Sequence, residues 1–265
     1  MTGEQLIVFS DLDGSLLDHN TYDWQPAQPA LDELKRREFP LVLVSSKTIS
    51  ELENYRAELN LQHPVVAENG AAMLVPDDYF SKADLYIPGA VPRSELQSIY
   101  TAIKQAHDFN CEAFFELGLS GIMRQTGLTE EQASRADDRM ASEPILWLDS
   151  EARMQQFERE ASAKGLACLK GGRFLHLTGR SSKEAAVRQL LEAYALEWPD
   201  RKIISVSLGD GPNDLGMLAT TDIAVLIPGK HKHPMSLSTD NRVLRPEIAG
   251  PGGWNEAMLT ILKEL

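Results

Sequence analysis

The chain has 265 residues, of which 43% are hydrophobic, and it carries a formal net charge of −13. A chain of this length and composition can bury a large core in one or two domains, which excludes a disordered or fibrous protein. The acidic balance argues against binding to nucleic acid or anionic lipid, because clustered lysine and arginine residues carry such binding.

Location signals are absent from the sequence pattern. Cys111 and Cys168 are too few for a disulfide framework or a cysteine zinc site, which suits a reducing compartment. No basic region followed by a long apolar stretch marks a signal peptide. No run of about 18 apolar residues predicts a membrane span. We therefore predict a cytoplasmic protein.

The two outer parts of the chain predict an open α/β sheet. Short apolar runs that end in polar residues are typical of buried parallel strands, and they occur at 6–9, 41–44, 64–67 and 203–208. Helical patterns occur at 29–37, 50–59 and 182–195. Thr48 and Glu51 have the spacing of a capping box that begins the second of these helices. Such alternation of strands and helices is typical of an α/β fold.

The middle of the chain has a different pattern. Helical stretches at 93–109 and 150–164 alternate with extended stretches at 112–117, 144–148 and 167–177, and the last is predicted to turn as a hairpin at Gly171-Gly172. Segments rich in Pro or Gly at 88–92 and 178–180 mark candidate boundaries. We predict a core of residues 1–85 and 178–265 with an inserted α+β module of residues 86–177.

Two carboxylates, Asp11 and Asp13, stand where the first predicted strand ends. Side chains two residues apart on a strand lean to the same side, and ligands of open α/β sheets bind beyond the carboxyl ends of the strands. Repulsion between two close carboxylates favours a proton on one, while a cation stabilises the other, which provides an acid and a nucleophile. Taken alone, the segment is equally compatible with a plain turn. An EF-hand is disfavoured because Tyr22 occupies the position of the loop's final Glu.

A second acidic segment, Gly209 to Asp214, follows the last predicted strand. Asp214 stands where a dinucleotide-binding motif requires Gly, and its charge would repel a pyrophosphate. Mg²⁺ favours carboxylate oxygens and retains waters. We therefore predict a cage, open to phosphate, formed by Asp11, Asp210 and a backbone carbonyl at or near Asp13, with Asp214 as a further or an outer ligand.

Hydroxyl and ammonium groups near other strand ends are candidate phosphate ligands. Ser45, Ser46 and Lys47 follow the strand at 41–44, and Lys183 begins a helix. Each can hold a phosphate oxygen or neutralise charge as the leaving oxygen departs. The alternative for these residues is a helix cap and a solvated lysine.

Further polar residues are candidates for substrate contacts. Glu68 and Asn69 follow the strand at 64–67 and are predicted to face the same crevice, although turn chemistry also explains Asn-Gly. His176 alternates with apolar residues, so it either reaches substrate or makes a buried polar contact. His231 and His233 lie in a loop without clustered ligands and are predicted to be solvated.

Four segments together resemble the motifs of the haloacid dehalogenase superfamily, in order. They are Asp11 to Ser15, the hydroxyl after 41–44, Lys183, and Gly209 to Asp214. Longer segments at 19–24, 45–48, 68–72, 171–179 and 250–256 are similar to the mannosyl-3-phosphoglycerate phosphatase family within it. Ser15 stands where Thr is usual and Glu184 where Gly is common, but neither departure removes a catalytic group.

The resemblance implies an α/β fold: a Rossmann-like haloacid dehalogenase core with an inserted α/β cap. It also implies Mg²⁺-dependent hydrolysis of mannosyl-3-phosphoglycerate to phosphate and mannosylglycerate, a compatible solute. On the matching positions, Asp11 would form an aspartyl-phosphate and Asp13 would act as acid and base. Ser45, or Ser46 in another register, and Lys183 would bind phosphate, whereas Asp210 and Asp214 would serve Mg²⁺.

The expected partner is therefore a small sugar-linked phosphoglycerate. We hypothesise that Lys47, Glu68, Asn69 and the cap residues Arg173 and His176 grip its carboxylate and sugar. Alternatives are a glucosyl-3-phosphoglycerate phosphatase, another sugar-phosphate phosphatase, a phosphomutase, or a binding module without turnover. The last is disfavoured because binding alone needs no acid beside a nucleophile.

Overall fold

The computed structural model of the chain describes residues 4–83, 85–171, 173–229 and 236–265. His231 and His233, for which solvation is predicted, lie outside the described residues, as does Gly172 of the predicted hairpin turn. The described helices are each too short or too polar to cross a bilayer.

The described strands and helices alternate along much of the chain. The strands are β1 (Glu4–Ser10), β2 (Leu41–Val44), β3 (Val65–Ala67), β4 (Ala72–Leu74), β5 (Cys111–Ala113), β6 (Ser142–Trp147), β7 (Ala167–Lys170), β8 (Leu175–Thr178), β9 (Lys202–Gly209), β10 (Ile223–Leu226) and β11 (Arg242–Leu244). The helices are α1 (Gln28–Arg36), α2 (Ile49–Glu58), α3 (Arg93–His107), α4 (Phe114–Thr126), α5 (Glu130–Asp137), α6 (Glu151–Ala163), α7 (Lys183–Glu197), α8 (Leu215–Thr220) and α9 (Gly250–Leu262).

A seven-stranded sheet in the order β11-β10-β9-β1-β2-β3-β4 forms the larger part of the molecule. Neighbouring strands are parallel except β3 and β4. Helices α1, α2 and α9 pack on one face and α7 and α8 on the other, so β1 and β2 are apolar on both faces. The α/β sheet predicted from the apolar runs is confirmed.

A second, antiparallel sheet in the order β5-β6-β8-β7 is formed by segments between 111 and 178. One face packs against α3 and α6 through Tyr100, Phe157 and Leu177. We refer to the elements from α3 to β8 as the cap. The predicted extended stretch at 112–117 is wrong beyond Ala113, because α4 begins at Phe114.

The carboxyl ends of β1, β2, β3 and β9 lie together at one edge of the larger sheet. The register pairs Ser10 of β1 with Leu208 of β9 and with Leu43 of β2. The residues that follow these strands, including Asp11 and Asp210, therefore meet at this edge, where open α/β sheets bind ligands.

Candidate active site

Lys183 joins two buried carboxylates at the edge of the larger sheet. Its Nζ donates to Asp11 Oδ1 and to Asp214 Oδ1, each at 2.6 Å. The lysine and Asp214 side chains are 1% exposed and the Asp11 side chain is 8% exposed. Lys183 lies in the first turn of α7, whose N-cap Ser182 accepts a hydrogen bond from Ala185 N. The helix thus fixes the ammonium group beside the candidate nucleophile.

Among the described residues, the ammonium group of Lys183 is shared by the two carboxylates of Asp11 and Asp214. Burial, reinforced by the charge of Asp214, raises the pKa of Asp11 to about 8, although Lys183 acts in the opposite direction. Burial lowers the pKa of Lys183, but the carboxylates of Asp11 and Asp214 outweigh this effect and hold that pKa above its ordinary value. A cation bound beside Asp11 would oppose the effects of burial and of the Asp214 charge on this carboxyl group and favour its ionised form.

Asp11, Asp210 and Asp214 form a group that suits a metal ion. Each offers one carboxylate oxygen, and these atoms lie within 4.8 Å of one another. Gly14 permits this approach, because it has φ +88° and an added Cβ would lie 2.4 Å from Asp210 Oδ2. A set of carboxylate oxygens fits Mg²⁺, a hard cation. Asp214 therefore belongs to the same group as Asp11 and Asp210.

Asp13 lies beside this group and not within it. Its Oδ2 accepts a hydrogen bond from Lys47 Nζ at 2.8 Å, and the Lys47 ammonium also lies 5.2 Å from the centre of the Tyr22 ring. The Asp13 carboxylate is thus directed toward Lys47, and its predicted metal contribution would have to come from its backbone carbonyl. This part of the prediction remains untested.

The loop after β2 presents the two candidate hydroxyl groups differently. Ser45 is buried at 1% exposure, and its Oγ accepts a hydrogen bond from Lys47 N at 3.3 Å. Ser46 is half-buried, and its carbonyl oxygen accepts from Arg139 of the cap at 3.4 Å. Both serines are at the sheet edge, and the register of the phosphate contact stays a prediction.

Glu68 and Asn69 lie at the end of β3, but their side chains point to different partners. The Glu68 carboxylate accepts hydrogen bonds from residues 140–142 of the cap, so it faces the cap instead of the predicted crevice. Asn69 Oδ1 accepts from Asn213 Nδ2 at 3.3 Å and thus lies against the loop that carries Asp210 and Asp214.

The two predicted substrate residues of the cap also differ. Arg173 is exposed and forms no hydrogen bond or ion pair with the described residues, so its charge is available to a ligand. His176 has a buried Nδ1 that finds no hydrogen-bond partner among the described residues. Burial, with a smaller effect of the Arg139 charge, lowers the pKa of His176 to about 3, so its ring is neutral.

Trp254 and Arg139 also support the site but were not found from the sequence. Trp254 Nε1 donates to Ser10 Oγ at 2.9 Å, and Ser10 Oγ donates to the Asp11 carbonyl oxygen at 2.7 Å. Arg139 bridges the cap and Ser46. The Gly-rich segment around a lone tryptophan was a weak signal for Trp254, whereas nothing local marks Arg139.

A largely parallel sheet that brings carboxylates and a lysine together beyond the carboxyl ends of its strands is typical of the active site of an α/β enzyme. The haloacid dehalogenase-like hydrolase family matches residues 8–230, and the chain belongs to this family. The glucosyl-3-phosphoglycerate/mannosyl-3-phosphoglycerate phosphatase of Methanococcoides burtonii is 36% identical over 267 residues, which cover 97% of each chain. The predicted family resemblance is confirmed, as is the prediction of a phosphatase enzyme.

Solved structures share the fold at lower identity. A phosphatase of the haloalkanoate enzyme superfamily from Bacteroides thetaiotaomicron matches with a TM-score of 0.69 at 19% identity, over 98% of this chain and 96% of that one. The sucrose-phosphatase of Synechocystis, solved with sucrose and phosphate, matches with a TM-score of 0.62 at 17% identity, over 97% of this chain and 98% of that one. These likenesses confirm the predicted fold class.

Proposed function

We propose that the chain is a Mg²⁺-dependent phosphatase of sugar-linked 3-phosphoglycerates, with mannosyl-3-phosphoglycerate as substrate and with mannosylglycerate and phosphate as products. The observation that carries this proposal is the pairing of Asp11 with Lys183 beside Asp210 and Asp214. The named activity of the relative from Methanococcoides burtonii supports the substrate class.

The donor set fits the proposed metal ion. Asp11, Asp210 and Asp214 supply oxygen atoms only, and burial together with the charge of Asp214 raises the pKa of Asp11, an effect that a bound cation would oppose. When bound, Mg²⁺ would neutralise carboxylate charge and polarise a phosphate oxygen.

Asp11 and Asp13 divide the reaction between them. A carboxylate oxygen of Asp11 attacks phosphorus, while the bond from phosphorus to the glycerate oxygen breaks and Asp13 donates a proton to that oxygen. Asp13, now ionised, takes a proton from water, which attacks the aspartyl-phosphate and releases phosphate and Asp11. Lys183 keeps Asp11 oriented in both steps and offers positive charge to the phosphoryl oxygens.

Lys47 connects this chemistry to the substrate's own carboxylate. In the structure its ammonium donates a hydrogen bond to Asp13 Oδ2 at 2.8 Å. A glycerate carboxylate that binds this ammonium would release the Asp13 carboxyl group from Lys47, so that it could turn toward the leaving oxygen. A substrate without this carboxylate would leave Lys47 on Asp13. We therefore expect phosphoglycerates to react faster than simple sugar phosphates.

Phosphate release from a substrate panel tests the proposed function. The panel contains mannosyl- and glucosyl-3-phosphoglycerate, sucrose phosphate and an aryl phosphate, each with Mg²⁺. We expect the highest kcat/KM for mannosyl-3-phosphoglycerate and a loss of at least 10³-fold in kcat for Asp11→Asn. Asp77→Asn, at an exposed position, is the control. Wild-type turnover by Asp11→Asn, or an isomerised product without free phosphate, would reject the proposal.

Arg173 provides a separate test of sugar and carboxylate recognition. Arg173→Ala should raise KM for mannosyl-3-phosphoglycerate about 10-fold and leave KM for the aryl phosphate unchanged, since a small substrate does not reach the cap. Arg159→Ala, which removes an exposed arginine of α6, is the matched control. An equal effect of Arg173→Ala on both substrates would remove Arg173 from the substrate site.

A further inference from the structure

The Glu68 carboxylate is buried between the larger sheet and the cap. The residue is 1% exposed, and none of the described lysines or arginines forms an ion pair with it. Oε1 accepts from Met140 N at 2.8 Å, and Oε2 accepts from Ala141 N at 3.1 Å and from Ser142 Oγ at 2.5 Å. Three donors from one short cap segment thus stabilise a carboxylate that belongs to the core.

The backbone that carries Glu68 is held in an uncommon conformation. Glu68, Asn69 and Gly70 have φ of 52°, 58° and 94°, which we call the left-handed turn. Non-glycine residues adopt this region at a cost and keep it where surrounding structure enforces it. At Gly70 an added Cβ would lie 2.2 Å from Ser182 O, so the turn is pressed against the residue before Lys183.

The left-handed turn also supports the loop at 45–48 that we propose for phosphate binding. Glu68 N donates to Lys47 O at 2.8 Å, and Asn69 N donates to Ser45 O at 2.9 Å. The same residue that binds the cap through its side chain therefore binds the phosphate loop through its backbone. A displacement of the cap at Glu68 would therefore also displace the backbone of Ser45 and Lys47.

The cap contacts the phosphate loop at two further points. Arg139 Nη1 donates to Ser46 O at 3.4 Å and to Ser142 Oγ at 3.0 Å. Thr48 Oγ1 donates to Arg135 O at 2.7 Å. Ser142 Oγ thus links Arg139 with Glu68, and the segment 135–142 follows the outer side of the loop.

We propose that Glu68 is a positioning residue, which docks the cap segment 139–142 on the phosphate loop and so sets the backbone of Ser45 and Lys47 for the reaction. Glu68 does not grip the substrate. Its carboxylate suits this role because it accepts from two backbone amides and one hydroxyl at once, which a neutral side chain cannot do. The kinetic consequence rests on the proposed function, whereas the docking itself does not.

Amide hydrogen exchange of the full chain tests the docking. Glu68→Gln places an NH₂ group opposite the donors, so exchange at residues 133–139, beyond the amides that Glu68 binds, should become at least tenfold faster. Ser142→Ala removes one donor, keeps Glu68, and should accelerate exchange about threefold. If Glu68→Gln does not fold, Ser142→Ala alone tests the docking. Glu112→Gln, at an exposed position of β5, is the control. Unchanged exchange at 133–139, or equal acceleration in α6, would overturn the proposal.

Steady-state kinetics separate positioning from a general loss of structure. For Glu68→Gln we expect kcat to fall 10- to 100-fold for mannosyl-3-phosphoglycerate and for a small aryl phosphate, with KM within about threefold, because the phosphate loop acts on the phosphate of both substrates. A kcat within threefold of the wild type for both substrates, or an equal fall for Glu112→Gln, would show that Glu68 does not position the phosphate loop. If the wild type releases no phosphate from any phosphoglycerate, the proposed function fails, and hydrogen exchange still decides the role of Glu68.

Discussion

Two regions of this molecule bury charge, and they satisfy it in different ways. In the acidic crevice, within the part of the chain that the structure describes, the carboxylates of Asp11 and Asp214 share the single ammonium group of Lys183. At the cap, Glu68 has donors for both oxygens. Carboxylates that share one cation favour the binding of a further cation, whereas a carboxylate whose two oxygens accept hydrogen bonds from neutral donors fixes the segments that it joins. The comparison thus distinguishes the residues that react from those that hold them in place.

The largest expected effect comes from removing the positive charge of Lys183 from the crevice. Lys183→Met leaves Asp11 and Asp214 buried without their shared cation, so the free energy of unfolding should fall by about 3–5 kcal/mol in the absence of Mg²⁺. The kcat should fall about 10²–10³-fold with the loss of a charged donor. Urea unfolding and phosphate release measure the two effects.

A lysine outside the crevice provides the control for this substitution. Lys104 pairs with Glu116 in the cap, where both side chains are about one quarter exposed, at 27% and 29%. Lys104→Met should cost about 1 kcal/mol or less. An equal loss in the free energy of unfolding for the two substitutions would show that Asp11 and Asp214 do not depend on Lys183 for their stability.

Addition of Mg²⁺ distinguishes the two regions, because the ion should stabilise the carboxylates of the crevice and have no effect through Glu68. At a concentration of 100 times Kd, a ligand that binds only the folded state raises the free energy of unfolding by about 2.7 kcal/mol. We expect this increase in the wild type and in Glu68→Gln, because Glu68 is not a ligand. Asp210→Asn should lose most of it, as measured by thermal unfolding with Mg²⁺ and with EDTA. Equal stabilisation of Asp210→Asn would place the metal elsewhere.

The sequence predicted the crevice well because its signals are local. Apolar runs followed by acidic residues mark strand ends, and the parallel register brings Asp11 and Asp210 together without long-range information. The capping box of Thr48 and Glu51 is also present as predicted. These features depend on spacing within a few residues, which a single sequence displays directly.

The cap contacts could not be predicted because their partners are distant in sequence. Glu68 bonds residues more than 70 positions away, and Arg139 reaches Ser46 across 93 positions. The error at 112–117 has a similar cause: Glu116 accepts hydrogen bonds from Ala113 N and from Tyr100 and Lys104 of α3, which favours an early helix start. A pattern of apolar residues carries none of this information.

His176 lies in the cap, and its buried Nδ1 has no hydrogen-bond partner among the residues that the structure describes. Because burial lowers its pKa from the ordinary 6.5 to about 3, the unfolded chain binds a proton below pH 6.5 that the folded protein excludes. Stability should therefore fall by about 1–2 kcal/mol between pH 7 and pH 5 on account of this ring. Urea unfolding at both pH values should show a smaller decrease for His176→Leu. The same decrease in both proteins would contradict a neutral His176.

The smallest expected effect concerns the N-terminal residues that cap two helices, Thr48 of α2 and Thr129 of α5. Of these two, Thr48 also joins the larger domain to the cap. Thr48 caps α2 through Glu51 N and also donates to Arg135 O of the cap, whereas Thr129 caps α5 through Gln132 N and is exposed. Loss of an N-cap costs about 1 kcal/mol, so Thr129→Ala should cost that amount. Thr48→Ala should cost about 1 kcal/mol more, because it also removes the hydrogen bond from Thr48 Oγ1 to the Arg135 carbonyl oxygen.

Thr48→Ser retains the hydroxyl and should stay within about 0.5 kcal/mol of the wild type. Urea unfolding gives the three free energies, and kcat for mannosyl-3-phosphoglycerate gives the functional counterpart. Thr48→Ala should lower kcat about threefold, because its lost contact lies on the phosphate loop, whereas Thr129→Ala should leave kcat unchanged. Equal free-energy costs and equal kcat for the two alanine variants would mean that the Thr48 hydroxyl caps its helix without helping to dock the cap.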